Sequence, residues 1–436
     1  MSDAIARTTA PRMGHRRTRT QMEGEARARG EQSPLTLRQA APVCYHLVWI
    51  TALLLLIAGL CAVLSVSMAE KVRGGDMFHY VRLQAIVAAV GLVLMLGLTF
   101  VDYRKLRAIS LWLLAGVFLS LFFVYVPVIG HPERGASSWV QFGPFNYQPS
   151  EFAKLAVVLA GAHLLSSPRT RDGRFVSYML PFGLAGLAVC GVVTIQNDFG
   201  TAIIITGLLL GMLWLAGMRT KQWLLLTGGG AAAGLAVVFL SSGGRRLARV
   251  TAMFDVSANA TSTGYQLRQS LLALGRGGWF GVGPGQSVQK FAYLPEAQND
   301  MIYAIIGEEF GFFGAGLVIA LFAVFALACW RLAKQCSDPM GKYLIAGCSM
   351  IVTLQAVINI GGAIGIIPLT GVPLPFVSDG RNSLLVMLMA VGLILAVAKK
   401  APARANPSPA TRSANVTRID SRRWDGRTRG ARSGAS

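Results

Sequence analysis

Tyr303-Ala-Ile-Ile-Gly-Glu-Glu-Phe-Gly-Phe-Phe-Gly-Ala-Gly-Leu-Val-Ile-Ala-Leu-Phe-Ala-Val-Phe-Ala-Leu-Ala-Cys329 decides which solvent this chain folds in. Beyond Glu309 the stretch carries no charged side chain, and it is apolar throughout rather than at alternate residues. About 17–25 such residues cross a bilayer as a helix, whereas a barrel strand alternates with period two. Nine further stretches read the same way, at 44–68, 83–101, 108–130, 152–167, 178–195, 200–217, 223–241, 343–367 and 383–398. The expected fold is all-α, a polytopic membrane protein with ten transmembrane helices.

Composition agrees. The chain is 53% hydrophobic and 14% charged with a mean hydropathy of +0.51, against about 25% charged residues in soluble domains. A water-soluble enzyme, a disordered chain and a disulfide scaffold are excluded. The cysteines Cys44, Cys61, Cys190, Cys329, Cys336 and Cys348 lack metal-type spacing and read as structural filler. There is no P-loop, G-x-S-x-G or H-E-x-x-H motif, and no internal repeat.

The net charge of +21 and pI near 10.4 would suit a nucleic-acid binder, but the basic residues are in the wrong places. Residues 1–43 and 399–436 together hold 18 of the 41 Lys and Arg. Basic tails beside membrane spans report topology or attraction to anionic lipid, so no nucleic-acid partner is expected. An even number of spans puts both tails on one side. With the tails in the cytoplasm, the inner side holds 29 Lys and Arg against five in the short outer loops. The positive-inside rule selects that orientation. The expected organisation is a basic, disordered cytoplasmic tail at 1–43, a membrane domain at 44–398 and a second such tail at 399–436. The polar stretch before the first span is too long for a cleavable signal.

One segment departs from the alternation of spans and short loops. Residues 242–302 form a large extracytoplasmic loop between the seventh and eighth spans, too polar to cross and too apolar for a linker. Within it, Tyr265–Leu274 reads as an amphipathic helix lying on the membrane, followed by a Gly-rich turn region from Gly275 to Gly285.

Ionisable groups near a membrane interior are expensive and mark candidate sites. Four places stand out. Glu296 and Asp300 flank Gln298 just before Glu308-Glu309; if helical, the two carboxylates share a face and one serves as a general base, or else they are a solvated helix start. In Gln148-Pro-Ser-Glu-Phe-Ala-Lys154, Ser150 is placed to cap the helix that Glu151 begins. Lys154 then needs an anion, either Glu151 or a ligand. Gln196-Asn-Asp-Phe-Gly200 is a tight outer turn in which Asp198 caps the next span or contacts substrate. Pro373-Leu-Pro-Phe-Val-Ser-Asp-Gly-Arg-Asn-Ser383 delivers Asp379 and Arg381, the Arg either holding a phosphate or pairing with Asp379. Gln355 and Asn359, four apart inside the ninth span, are expected to bond to neighbouring helices.

Taken together these blocks resemble the SEDS family (shape, elongation, division, sporulation), over roughly residues 44–398. The resemblance rests on Gly143-Pro-Phe-Asn-Tyr-Gln-Pro-Ser-Glu-Phe-Ala-Lys154, Asp198-Phe-Gly-Thr201, Gly264-Tyr-Gln-Leu267, Tyr293-Leu-Pro-Glu-Ala-Gln-Asn-Asp300, Ile306-Gly-Glu-Glu309 and Pro373-Leu-Pro-Phe-Val-Ser378. Pro-Glu-Ala before the Asp and Gly-Glu-Glu after it look like the division (FtsW) branch rather than the elongation (RodA) branch. The resemblance implies a peptidoglycan glycosyltransferase that polymerises lipid II into glycan strands on the outer face of the bacterial inner membrane, at the division site. It implies Asp300 as the essential carboxylate, taking the proton from an acceptor hydroxyl. Around it, Gln148, Ser150, Glu151, Lys154, Asp198, Gln266, Arg268, Lys290, Glu296, Gln298, Glu308, Ser378 and Arg381 are expected to contact substrate. Cations chosen from Lys154, Arg381, Arg268 and Arg245, or a divalent metal such as Mg or Mn, would stabilise the leaving diphosphate. A class B penicillin-binding protein and other division proteins are the implied partners. The chain departs from the family's usual His-Thr at Gln298-Asn299, and from its usual Ser-Tyr-Gly-Gly-Ser-Ser at Ser378–Ser383. Two rival classes remain: a flippase for a lipid-linked precursor, which would carry charges at mid-membrane depth, and a low-activity scaffold recruiting a transpeptidase.

Overall fold

A computed structural model describes residues 36–72, 76, 78–126, 130–133, 136–143, 145–167, 175–240, 263–291 and 293–404. The expectations for the two tails and for Arg245 lie outside the described residues.

The chain is mostly helical. After a single turn at Leu37–Ala40 come α1 (Pro42–Val72), α2 (His79–Phe100), α3 (Leu106–Ser120), α4 (Pro149–Leu165), α5 (Phe175–Ile195), α6 (Phe199–Leu215), α7 (Thr220–Leu240), α8 (Thr263–Gly277), α9 (Ile302–Gln335), α10 (Pro339–Ala363) and α11 (Arg381–Lys400). Each apolar stretch falls on one of these helices. Among the described residues six helices, α1, α2, α3 with its continuation to Tyr125, α9, α10 and α11, are long and apolar enough to cross a membrane; α5 and α6 supply shorter apolar helices at Met179–Ile195 and Phe199–Leu215. The amphipathic stretch is α8. It buries Leu267, Ser270 and Ala273 and turns Arg268, Leu271 and Leu272 outward.

The third span is shorter than its apolar run suggested. Helix α3 tightens into a 3₁₀ turn at Leu121–Tyr125, and Val126 is extended at φ −79°, ψ 118°. The reason is local: Val126 precedes Pro127, and a residue before proline is pushed out of the helical region. A three-stranded antiparallel sheet follows, β1 (Gly130–Glu133), β2 (Ala136–Phe142) and β3 (Phe145–Tyr147), with Val140 paired to both Gly130 and Tyr147. The sheet corrects the purely α expectation for this outer connection.

The core runs through α4 and α11. From Pro149 to Ala162, α4 is buried at every position but Phe152, and α11 is buried along most of its length. Helices α2 and α3 expose Val90, Val93, Leu96, Trp112 and Leu119 instead. Such faces fit a bundle whose outer surface meets hydrocarbon.

At one end of the bundle the segments flanking the first and last helices meet. Thr36 bridges Pro402, Leu37 N donates to Ala401 O at 3.0 Å, and Arg404 N donates to Gln335 O at 2.7 Å. There the Tyr103 hydroxyl donates to Asp338 Oδ2 at 2.7 Å, while Asp338 also caps α10 by accepting from Gly341 N. Burial, reinforced by the hydrogen bond to Asp338, pushes the Tyr103 phenol well above its usual range. A raised folded-state pKa makes the tie's stabilisation complete below about pH 10 and lost as pH rises above it. Tyr103→Phe is therefore expected to cost about 2 kcal/mol at neutral pH. In thermal unfolding of the detergent-solubilised protein, the variant should lack this contribution to the alkaline loss of stability seen in wild type.

Candidate functional site

The connections after α3, α5 and α10 and the segment between α8 and α9 gather at the opposite end. The sequence from Pro295 to Met301 forms a turn, not a helix. Glu296 is left-handed at φ 54°, and its carbonyl accepts from Asn299 N at 3.0 Å. Its carboxylate accepts from Asn299 Nδ2 at 2.6 Å. Glu296 and Asp300 therefore do not share a helical face, because the reversal at Glu296 breaks the periodicity that their spacing suggested. Asp300 is half-buried two residues before α9 begins.

Main-chain hydrogen bonds help to position Asp300. Its carbonyl accepts from Asn359 Nδ2 at 2.8 Å, and the same amide donates to Val372 O at 2.8 Å. The connection after α10 then folds over the turn: Asp379 N donates to Gln298 O at 2.9 Å. Gly371, at φ 74°, lies so close that a methyl group there would stand 3.9 Å from Asp300 Oδ2. Among the described residues, the non-glycine residues with positive φ are Asn197, Glu296 and Phe376, one in each of three outer connections. Backbone strain of this kind, about 1–3 kcal/mol per residue, persists only where surrounding contacts enforce it.

Beneath this layer, α4 delivers Lys154, with no exposed surface. Its Nζ lies 2.7 Å from Glu151 Oε2 and donates to Gln355 Oε1 at 2.6 Å. The Gln355 amide passes the connection on, donating to Pro373 O at 2.9 Å and Ser383 Oγ at 2.7 Å. The anion Lys154 needed is thus Glu151, and the pair supports the 373–383 connection. Ser150 does not cap α4: Gln148 holds the cap position, Pro149 starts the helix, and Ser150 donates to Asp198 Oδ2 at 2.7 Å. Gln148 Nε2 donates to the same oxygen at 3.2 Å, and Asp198 Oδ1 caps α6 by accepting from Thr201 N.

A second buried network grips the start of the 285–300 segment. Lys290 Nζ donates to Ser65 Oγ at 2.9 Å, Gly285 O at 2.7 Å and Glu309 Oε1 at 3.1 Å. Those are the three donors an ammonium has. Glu308, fully buried, accepts from the Ser287 hydroxyl and from Val288 N at 3.1 Å and Gln289 N at 3.3 Å, with Arg276 Nη1 3.7 Å away.

The residues expected to touch substrate therefore separate into two sets. Ser150, Glu151, Lys154, Lys290, Glu308 and Ser378 are buried and engaged inside the protein; Ser378 Oγ accepts from Leu374 N within its own loop. Each of these makes an internal tie, since a charge or hydroxyl in an apolar interior must be paired. Gln148, Asp198, Gln266, Glu296, Gln298 and Asp300 are partly accessible, and Arg268 and Arg381 are exposed. Gln266 Nε2 donates to Pro295 O at 3.3 Å and ties α8 to the turn. Among the described residues, no three of His, Cys, Asp and Glu come together as a metal site. Ser65, Ser287, Glu309, Gln355 and Asn359 hold the site together and were not among the expected contacts. Gln355 and Asn359 stood out in the sequence as amides inside an apolar run and Glu309 as part of the Glu308-Glu309 pair, whereas Ser65 and Ser287 did not.

The arrangement offers a half-buried carboxylate on a braced turn, with exposed guanidinium groups at Arg268 of α8 and Arg381 of α11. The family model FTSW_RODA_SPOVE, described as cell cycle protein, matches residues 45–402. The stage V sporulation protein E of Bacillus subtilis (strain 168) is 37% identical over 80% of this chain and 95% of its own. A probable peptidoglycan glycosyltransferase FtsW of Thioalkalivibrio sp. (strain K90mix) is 38% identical over 83% of this chain and 91% of its own. Among solved structures, a chain of a peptidoglycan synthase complex that coordinates polymerization and crosslinking superposes with a TM-score of 0.64 at 26% identity, covering 80% of this chain and 96% of that one. The rod shape determining protein RodA of Thermus thermophilus gives 0.60 at 25% identity, over 81% and 95%.

Proposed function

The chain belongs to the FtsW, RodA and SpoVE family of cell cycle proteins, and from that membership we propose that it is a peptidoglycan glycosyltransferase polymerising lipid II on the outer face of the inner membrane during cell division. The ten helices that carry the apolar stretches would then cross the membrane, with both basic tails in the cytoplasm. The observation that carries the reading is the setting of Asp300, half-exposed at the outer end and held through its main chain by Asn359.

In the proposed step, the acceptor sugar hydroxyl attacks the anomeric carbon of the donor. A C–O bond forms there as the bond to the diphosphate oxygen breaks, the diphosphate leaves with the electron pair, and Asp300 takes the hydroxyl proton. Arg381 and Arg268 are the exposed cations available to the diphosphate. Helix α11 begins at Arg381, so its first-turn N–H groups add a partial positive charge at the same place. The prenyl chain stays in lipid along the apolar outer surface.

The partner proposed is a class B penicillin-binding protein, supported by the likeness to a synthase complex in which polymerization and crosslinking are coordinated. The test is a gel assay of purified protein with lipid II, with and without the transpeptidase and a chelator. Glycan polymer is expected. Movement of lipid II between leaflets without polymer would replace this reading with a flippase.

A further inference from the structure

We propose that the turn Gly278-Trp-Phe-Gly281, together with Phe312 and Phe313 of α9, is a membrane anchor whose partner is the lipid surface of the outer leaflet. Trp279, Phe280, Phe312 and Phe313 are 65%, 82%, 63% and 58% exposed, yet they form one ordered group. The Trp279 ring stands edge-on to Phe312 at 5.3 Å, and Phe280 lies 5.3 Å from Phe313. A contiguous aromatic patch of this kind marks an interaction surface.

The turn is not a loose tip. Phe312 N donates to Gly278 O at 2.9 Å and Phe313 N to Trp279 O at 3.3 Å, while Val282 N and Gly283 N donate to the carbonyls of Glu308 and Glu309. Those bonds exist because α9 breaks at Gly311, where φ is 67° and ψ −162°. A side chain at Gly281 would meet Glu309 O at 2.1 Å, and one at Gly311 would meet Gly281 N at 2.4 Å. Glycine at both places lets backbone pack on backbone, and the aromatic rings are carried outward as a rigid unit.

Lipid is the occupant indicated by what lies on either side. Beyond the patch α9 continues with exposed Leu317, Ile319 and Leu327, and α8 exposes Leu271 and Leu272. At the far end of α9, exposed Trp330 lies under Lys334 Nζ at 4.0 Å. Phe312 and Trp330 are 18 residues apart, which is about 27 Å of helix, close to the ~30 Å hydrocarbon thickness. Aromatic rings at both ends of one bilayer-length helix, with a lysine reaching past one of them, form the two interfacial belts of a membrane span. The segment after α8 thus meets the membrane at residues 278–281. The claim rests on the membrane-spanning character of α9 and stands apart from the transfer chemistry.

A spin label at Phe280→Cys, in the full chain with Cys61 replaced by serine and reconstituted into phosphatidylethanolamine and phosphatidylglycerol vesicles, tests it. Collisions with dissolved oxygen should exceed those with a water-soluble nickel chelate by several-fold relative to Tyr293→Cys, and should match Leu317→Cys. A ratio at the Tyr293 level puts the turn in water and overturns the proposal. Shielding from both reagents overturns it too, in favour of a protein cover such as a second copy. Trp279→Cys gives the second, independent position.

Discussion

Asp300→Asn is expected to fold, insert and bind lipid II as wild type does while losing glycan polymerisation by about 10²–10⁴-fold in kcat, the range a positioned general base contributes. The amide keeps the shape of the carboxylate and removes its ability to accept a proton. The contacts that set the turn survive, because Asn359 donates to the Asp300 carbonyl and Asp379 to the Gln298 carbonyl, both main-chain oxygens. Glu296→Gln is the internal comparison. That carboxylate is already bonded to the Asn299 amide at 2.6 Å, so its loss should lower the rate by less than about tenfold. Polymer yield on gels, read beside thermal unfolding and lipid II binding, separates chemistry from folding. Wild-type polymerisation by Asp300→Asn, or an equal loss in both variants, would remove Asp300 from the role of base.

The helices were legible in the sequence because hydrocarbon imposes one rule on every residue of a span: a run apolar on all sides has no other solution. The illegible part depends on where polar groups find their partners. Lys154 needed an anion, and Glu151 at i−3 was in view. Lys290 gave no such hint, since its partners Ser65 and Glu309 come from α1 and from nineteen residues further on. Gln355 and Asn359 announced themselves as amides in an apolar run, but they bond largely to the carbonyls of Pro373, Asp300 and Val372. A carbonyl belongs to every residue and carries no signature. The four-residue spacing of Glu296 and Asp300 suggested a shared helical face until the left-handed Glu296 reversed the chain. Likewise, the sheet at 130–147 has strands of four, seven and three residues, too short for an alternating pattern to show itself.

Lys290→Met should cost about 3–5 kcal/mol, the penalty for leaving one member of a buried ion pair without its partner. Glu309, 3% exposed, would keep its bond to the Ser65 hydroxyl and lose the ammonium that balances its charge. The 285–290 segment would in turn lose its tie to α1 and one of its ties to α9, keeping those to Glu308. Replacing the partner as well, in Lys290→Met/Glu309→Leu, removes both charges together, and most of the lost stability should return, because well-packed apolar residues can substitute for a buried pair. Unfolding of the detergent-solubilised variants checks the sign: the two single changes must not add, with Glu309→Leu alone completing the cycle. Polymerisation by the double variant should recover alongside stability, since the Lys290 side chain has no exposed surface with which to meet a diphosphate. Recovered stability with activity still absent would instead show that the ammonium leaves its cage during turnover and binds substrate itself. Strict additivity would mean that the loop is held by the Glu308 contacts to Ser287, Val288 and Gln289 alone.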